Sequence, residues 1–410
     1  MEKPGRNPSP LLSHCPPAGL AATTGTTGPG TTLTRAPQPA PRDAVPSYCT
    51  VDVAAGANWA LRDSDGPPVR LKSVVVHVPA CPRGYHGQHR VKVRIGGSGF
   101  PLVIAHGYTS HSRVYLLVLG LLARWFKVIA IDLAGHGGTA ALPRRQQRTA
   151  AYADLLLCTM DHLGIEKAVM VGHSLGGRVA AEAVSMQPTK AAALLLANPT
   201  TGSFWDQRVH RLRRHPGAVF PLIGRLLNDT THLVMNIDTT DQSATLLRLG
   251  REMFLSHVRA PWRLAPAGLA MLTAAPSGPI LAKVGQAGVQ TVVIWGEADP
   301  VVTRADARST ADLTRGELIV VVDSGHSWPL ADRRTLPDIV RSELGGHLGQ
   351  ALDDCLGTFG LDAATAGKNA AETVCYRRNS LAVRLTPPFA YWQGHRQSSH
   401  PLVLWQRHPH

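Results

Sequence analysis

Between residues 71 and 344 the chain alternates short apolar runs with longer segments in which apolar residues recur every three or four positions. The runs are too short for helices and are bounded by glycines or polar turns. They predict strands at 71–78, 91–95, 101–105, 127–132, 168–171, 192–197, 292–295 and 318–322. The segments between them predict helices at about 110–123, 147–163, 175–187, 304–313 and 332–344. The first two strands, with the Gly96–Gly99 turn before the third, read as a hairpin-like entry into a sheet. From 101 onward the runs are apolar at successive positions, as expected of strands covered on both faces. The fold class is therefore expected to be α/β: a doubly wound, mostly parallel sheet.

This alternation fails in three places. Residues 1–46 are dominated by Pro, Gly, Thr, Ala and Ser and hold almost no large apolar side chains, so 1–70 is expected to be a largely disordered N-terminal extension. From 199 to 288 no parallel-strand run occurs, and helix-prone pieces rich in Leu, Arg, Phe, Trp and Met take its place. A gap that long inside a sheet needs structure of its own, and 199–288 is expected to form a helical cap. The core is then 71–198 and 289–344. Residues 345–410 show no period of 2 or 3.6 and are read as a C-terminal extension of unknown structure, much of it poorly ordered.

Composition changes this picture little. The 410 residues are 44% hydrophobic, enough apolar surface to build a core. The net charge of +14 invites a nucleic-acid reading, but it is spread as +9 over 71–199, +5 over 200–285 and −3 over 286–344, with no basic block or arm. No nucleic-acid partner is expected. The six cysteines lie far apart without a C-x-x-C pair, which points to neither a zinc site nor a disulfide scaffold. Prolines 8, 10, 16 and 17 prevent an apolar leader from developing. The longest apolar run, 114–123, is about half a membrane span. A cytoplasmic protein without stable membrane insertion is expected, surface contact remaining open and its oligomeric state unassigned.

The chemistry lies in Val169-Met170-Val171-Gly172-His173-Ser174-Leu175-Gly176-Gly177, a strand that turns through G-x-S-x-G into a helix. A turn this sharp strains the serine backbone. It also brings the residues two before and two after so close that only glycine fits. Ser174 is thereby lifted clear of the sheet, with free helix N–H groups beside it to hold an oxyanion. A serine needs a histidine to take its proton and an acid to orient that histidine. In this topology they follow in the order Ser, Asp, His, each just past a strand. Asp299 follows the strand 292–295 and His326, in Asp323-Ser324-Gly325-His326, follows 318–322. The backbone N–H of Tyr108, after His106-Gly107 at the end of 101–105, is placed to join that of Leu175 as the second oxyanion donor.

With Gly99, His106-Gly107, Ile131-Asp132-Leu133-Ala134-Gly135-His136-Gly137, Gly172–Gly177, Gly296-Glu297-Ala298-Asp299 and Gly325-His326, the chain resembles the α/β-hydrolase fold superfamily over about 71–344. The resemblance implies eight strands, a helical cap between strands six and seven, and catalysis with no metal and no organic cofactor. Haloalkane dehalogenases and most epoxide hydrolases of this fold carry Asp where Ser174 stands. Proline iminopeptidases carry H-G-G-P-G where this chain has His106-Gly107-Tyr108-Thr109, and carbon–carbon bond hydrolases typically have G-N-S in place of Gly172-His173-Ser174. An esterase or lipase-like enzyme acting on a small-molecule ester, with a small to medium apolar acyl group, is the resulting expectation. Cofactor-free haloperoxidase or perhydrolase chemistry, carbon–carbon hydrolysis on the same triad, and a hydrolase-like binding protein without turnover are the alternatives.

Blander roles compete at several positions. Ser174 is a possible helix N-cap and Asp299 a possible Asp-Pro turn residue, while Asp323 competes as the acid. His106 is expected to support its loop, and His173 to pack or hydrogen-bond away from Ser174. Gly135-His136-Gly137-Gly138-Thr139-Ala140 matches a dinucleotide fingerprint, but Leu142-Pro143 stands where the phosphate-binding helix belongs. In the cap, Arg208, Arg211, Arg213 and Arg214 read as a solvated basic face or as a rim for anionic substrates. Phe220, Leu222, Leu226, Leu227, Met253, Phe254, Leu255 and Trp262 are expected to line or cover an acyl pocket.

Overall fold

The structure is a computed structural model. It describes residues 67–80, 88–215, 217, 221, 224–225, 229, 264–331, 333–361, 371–372, 374–387 and 405–408. Strands β1 (Lys72–Val78), β2 (His89–Gly96), β3 (Pro101–Ala105), β4 (Lys127–Ile131), β5 (Ala168–His173), β6 (Ala191–Ala197), β7 (Gln290–Gly296) and β8 (Glu317–Val321) are joined by a ninth, β9 (Trp405–His408). Their order in the sheet is β1-β2-β4-β3-β5-β6-β7-β8-β9. β3 to β8 run parallel, whereas β2 is antiparallel to both of its neighbours and β9 is antiparallel to β8.

Burial explains the run pattern. Every residue of β3, β4, β5 and β6 is buried, so neither face of these strands tolerates the alternation that one-sided sheets show. β1, at the sheet edge, keeps several exposed positions. The crossover that sets β3 between β4 and β5 brings the C-terminal ends of β3, β5, β7 and β8 to one rim of the sheet. The loops carrying Tyr108, Ser174, Asp299 and His326 all leave from that rim.

The helices differ from expectation in informative ways. The segment expected at 110–123 is helical only over α1 (Leu116–Leu122); ahead of it Ser112 gives its N–H to the Asp132 carboxylate at 2.7 Å. Residues before α1 run instead through turns, with Ser110 N–H on Gly107 O and Val114 N–H on His111 O. α2 (Thr149–Leu163) and α3 (Leu175–Met186) fall where predicted. Within the inserted stretch lie α4 (Ser203–Arg214), α5 (Leu264–Leu272) and α6 (Gly278–Gln286). α6 packs against α3 and α7 (Arg304–Thr314) with Leu281 and Val284 fully buried, so it is a sheet-flanking helix. The expected helix 332–344 is α9 (Thr335–Leu344), preceded by a separate single turn, α8 (Trp328–Ala331).

Beyond residue 344, where no period is expected, several described pieces are part of the core, and the leucines at 348, 352 and 356 do recur at helical spacing. α10 (His347–Gly357) buries Leu348, Leu352 and Leu356 against the starts of β6 and β7. Tyr376 bridges Ile165, and α11 (Leu381–Leu385) buries Ala382. Cys158, on α2, is disulfide-bonded, which its isolation in the sequence did not indicate. Some of the positive charge is internal: Arg94, Arg124, Lys127, Arg178 and Arg333 are all buried. Lys127 pairs with Glu372 at 2.6 Å. Among the described residues no helix is long and apolar enough to cross a membrane.

Candidate active site

The strand-to-helix turn after β5 shows why its sequence is fixed. Ser174 has φ 54° and ψ −117°, a conformation costing about 1–3 kcal/mol that the surrounding contacts must hold. A Cβ on Gly172 would collide with the Gly176 carbonyl, and one on Gly176 would collide with the carbonyls of Ala105 and His106. Glycine at both positions therefore lets β5, α3 and the loop after β3 converge on one serine. The Ser174 N–H bonds Ala197 O at 3.0 Å, and its carbonyl accepts from Arg178 at 3.2 Å. Its side chain does not cap α3.

Instead, Ser174 Oγ lies 2.9 Å from His326 Nε2, and His326 Nδ1 lies 2.8 Å from Asp299 Oδ2. All three residues are buried. Asp299 also fills the turn role open to it: Oδ1 accepts the N–H groups of Val301 at 2.7 Å and Val302 at 2.9 Å. One oxygen therefore shapes the loop and the other meets the imidazole. Asp323, the competing acid, is exposed in the turn after β8. Burial pushes the His326 pKa down, but the charge and hydrogen bond of Asp299, with the more distant Asp229, outweigh it and leave the pKa raised.

Two other buried histidines flank the turn and are held differently. His326 O can only accept, so His173 Nε2 donates to it at 3.0 Å, and Nδ1 accepts from Tyr115 OH at 2.7 Å. Burial, and then the neighbouring His326, lower the His173 pKa to about 3, so the ring is neutral. His106 Nε2 accepts the Leu133 N–H at 2.9 Å, which leaves Nδ1 to donate to Gly107 O at 2.8 Å. Burial and the neighbouring His136 lower its pKa as well. Both rings are struts between loops.

The loop after β3 reaches the serine. A Cβ built on Gly107 would lie 3.3 Å from Ser174 Cβ and 2.9 Å from His173 Nδ1, so the residue before Tyr108 lies against the serine turn. The Tyr108 hydroxyl points to α5, 3.1 Å from a Cβ built on Gly268. An inserted helix thus borders the site. Arg208, read in sequence as part of a basic face, pairs with Asp306 and donates to Val301 O at 2.8 Å, in the Asp299 loop. Arg213 donates to the carbonyls of Leu272 and Ala274. Of the expected acyl-pocket residues, all eight from Phe220 to Trp262 lie outside the described residues.

Three positioning side chains escaped the sequence reading. Asn198, just past β6 with φ 42°, donates to Gly325 O at 3.2 Å and His326 O at 2.9 Å and accepts from Gly296 N–H at 2.8 Å. Asp229 accepts His326 N–H at 2.8 Å and Ser327 N–H at 3.0 Å. Tyr115 orients His173. A polar residue directly after β6, aligned with the other site-bearing strands, is the one signal that pointed to Asn198. Asp229 and Tyr115 left none.

The dinucleotide match fails on geometry. Gly137 has φ 52°, Gly138 N–H bonds Asp132 Oδ2 at 3.1 Å, and the next helical piece is a single 3-10 turn at Arg144–Gln146. Among the described residues no group of three or more His, Cys, Asp or Glu could hold a metal ion.

Comparison with known proteins places this arrangement. A model of the alpha/beta hydrolase family matches residues 102–336. The chain is 30% identical over 260 residues to a protein of Mycobacterium phage D29 provisionally named a non-heme haloperoxidase, covering 61% of this chain and 90% of that protein. It is 28% identical over 263 residues to lipase LipV of Mycobacterium tuberculosis, covering 62% and 96%. A solved esterase from Thermogutta terrifontis superposes with a TM-score of 0.51 at 23% identity, over 67% of this chain and 98% of that one; it shows likeness of fold.

Proposed function

The chain belongs to the alpha/beta hydrolase family, and we propose that it is a serine hydrolase cleaving small-molecule carboxylic esters through an acyl-enzyme. The observation that carries this reading is the buried relay from Ser174 Oγ through His326 to Asp299, at 2.9 and 2.8 Å. His326 Nε2 takes the serine proton as Oγ attacks the ester carbonyl. The imidazolium is stabilised by Asp299, and the oxyanion by the backbone N–H groups of Leu175 and Tyr108. The C–O bond breaks as His326 returns the proton to the leaving alcohol. Water then gives a proton to His326, attacks the acyl carbon and frees Ser174 with the carboxylic acid. The inserted helices cover a small to medium apolar acyl group, consistent with α5 lying against Tyr108.

Ser174→Ala is expected to abolish labelling by a fluorophosphonate probe and to lower ester turnover by about 10⁴-fold or more, with an unchanged unfolding transition. Undiminished labelling overturns the assignment. A panel of p-nitrophenyl esters from short to long acyl chains then sets the acyl preference. A second reading, perhydrolysis on the same residues, is favoured by the name of the phage relative. Halogenation supported by peroxide and acetate, exceeding ester hydrolysis, is the result that selects it.

A further inference from the structure

At the opposite rim of the sheet from Ser174, where β6 and β7 begin, α10 walls a cavity of about 380 Å³. Lys167, Ala191, Gln290, Asp354, Cys355 and Thr358 are among the residues that line it. Cys355, on α10, is buried at 3% exposure beneath this cavity's surface. Behind it lies Cys375, fully buried, whose thiol hydrogen-bonds the Cys355 sulfur. Both are free thiols, unlike Cys158.

Each partner is anchored independently. Cys355 sits in regular helix, its carbonyl accepting from Thr358 Oγ at 2.7 Å. Cys375 gives its carbonyl to Glu166 N–H at 2.8 Å and its N–H to Ala371 O at 3.0 Å, and Tyr376 after it bridges Ile165. Two elements thus present sulfur to sulfur, both buried, and of the two only Cys355 is among the residues lining the cavity. That asymmetry separates a reacting thiol from a resolving one. The hydrogen bond from Cys375, and the charge of Lys167 against the opposing effect of burial, lower the Cys355 thiol below its ordinary range, while Cys375 is raised.

We propose that Cys355 and Cys375 are a peroxide-reactive thiol pair, entered through the cavity beside α10, in which Cys355 is oxidised first and Cys375 closes a disulfide onto it. Cys355 thiolate attacks one oxygen of hydrogen peroxide or a small hydroperoxide and the O–O bond breaks. The departing hydroxide or alkoxide takes a proton from water or the original thiol, leaving Cys355 as a sulfenic acid. Cys375 then gives up its proton and its sulfur attacks that of Cys355. The S–O bond breaks, and the leaving hydroxide departs with the proton as water. Two thiols and one peroxide become a disulfide, water and a second water or an alcohol. The bond ties α10 to the segment that holds the turn between α2 and β5. This site is independent of the ester chemistry proposed above.

The test uses the full chain, titrated with hydrogen peroxide, denatured without reductant, alkylated and digested. Expected is a peptide carrying Cys355 joined to one carrying Cys375, lighter by two hydrogens than the reduced pair. Alkylation of both cysteines should be lost in parallel and return with dithiothreitol. In Cys375→Ser, a cyclic dione added with the peroxide should label Cys355. Cys355 and Cys375 still fully alkylated at peroxide levels that oxidise free cysteine, or Cys355 joined instead to another cysteine, overturns the proposal. So does a dione label on Cys375 in Cys355→Ser, which reverses the order. The wild-type crosslink decides the pair even where a variant does not fold.

Discussion

The loops after β3 and β8 each bring a buried histidine to the Ser174 turn, yet the two rings are prepared for opposite tasks. His106 hydrogen-bonds only a carbonyl and a backbone N–H, and burial, with the neighbouring His136, outweighs the more distant charge of Asp132 and lowers its pKa to about 3. His326 is equally buried but faces the Asp299 carboxylate, so its charged form is favoured. Burial and proximity to the serine are common to both. A carboxylate in contact with Nδ1 makes the difference, and His173, which is nearest in sequence, lacks it.

Removing that carboxylate is the severest way to break the contrast. Asp299→Asn is expected to lower kcat/KM for an ester by about 10⁴-fold, because the ring loses both its orientation and the partner of its charge. A loss below tenfold shows that His326 does not depend on this contact. The wild-type kcat/KM should also rise with pH through a midpoint above the ordinary histidine value of 6.5, as His326 loses its proton.

Stability reads the strut histidines. The His173 pKa is lowered from 6.5 to about 3, so between these values the unfolded chain binds a proton that the folded chain refuses. Its contribution is complete above pH 6.5 and declines as pH falls, by about 2 kcal/mol between pH 6.5 and 5. His106 acts in the same direction. His326 acts oppositely: its raised pKa adds stability below pH 6.5 that is lost as pH rises through the folded value. Urea unfolding of the wild type and His173→Gln at both pH values isolates the His173 share, and equal slopes for the two proteins refute it.

Smaller changes sharpen the comparison. Tyr115→Phe leaves His173 Nδ1 buried without its donor and should destabilise the fold by about 1–2 kcal/mol, measured in urea, while changing kcat much less than Asp299→Asn. The mildest expected effect is that of Asp229→Asn. The carboxylate contributes to raising the His326 pKa, so the acidic midpoint of kcat/KM should move down by a fraction of a pH unit, with the basic limb unchanged. An unmoved midpoint limits Asp229 to backbone support.

Much of the fold was legible because its constraints are local. A run such as Pro-Leu-Val-Ile-Ala is buried at every position, and five consecutive apolar residues record that directly. The Ser174 turn was legible because collisions with backbone carbonyls, that of Gly176 at Gly172 and those of Ala105 and His106 at Gly176, dictate two glycines. The helix expected from 110 begins only at Leu116, because the chain before it is held in turns, Ser110 N–H on Gly107 O and Val114 N–H on His111 O, with Ser112 N–H tied to Asp132 about twenty residues away. In the tail after 344, Leu348, Leu352 and Leu356 of α10 carry a helical period over only two turns, and pieces such as Tyr376 and Ala382 are too short to show any, although each fills a space in the core.

By itself the sequence determined where the strands and the strained turn lie, since chain sterics and two-sided burial leave marks on neighbouring residues. Tertiary structure alone decided that one oxygen of Asp299 serves the loop and the other the ring, that His106 and His173 are held as neutral struts, and that two cysteines twenty positions apart share a hydrogen bond. Those contacts join elements through side chains of free orientation. Only their final packing sets the distances on which hydrogen bonding and charge depend.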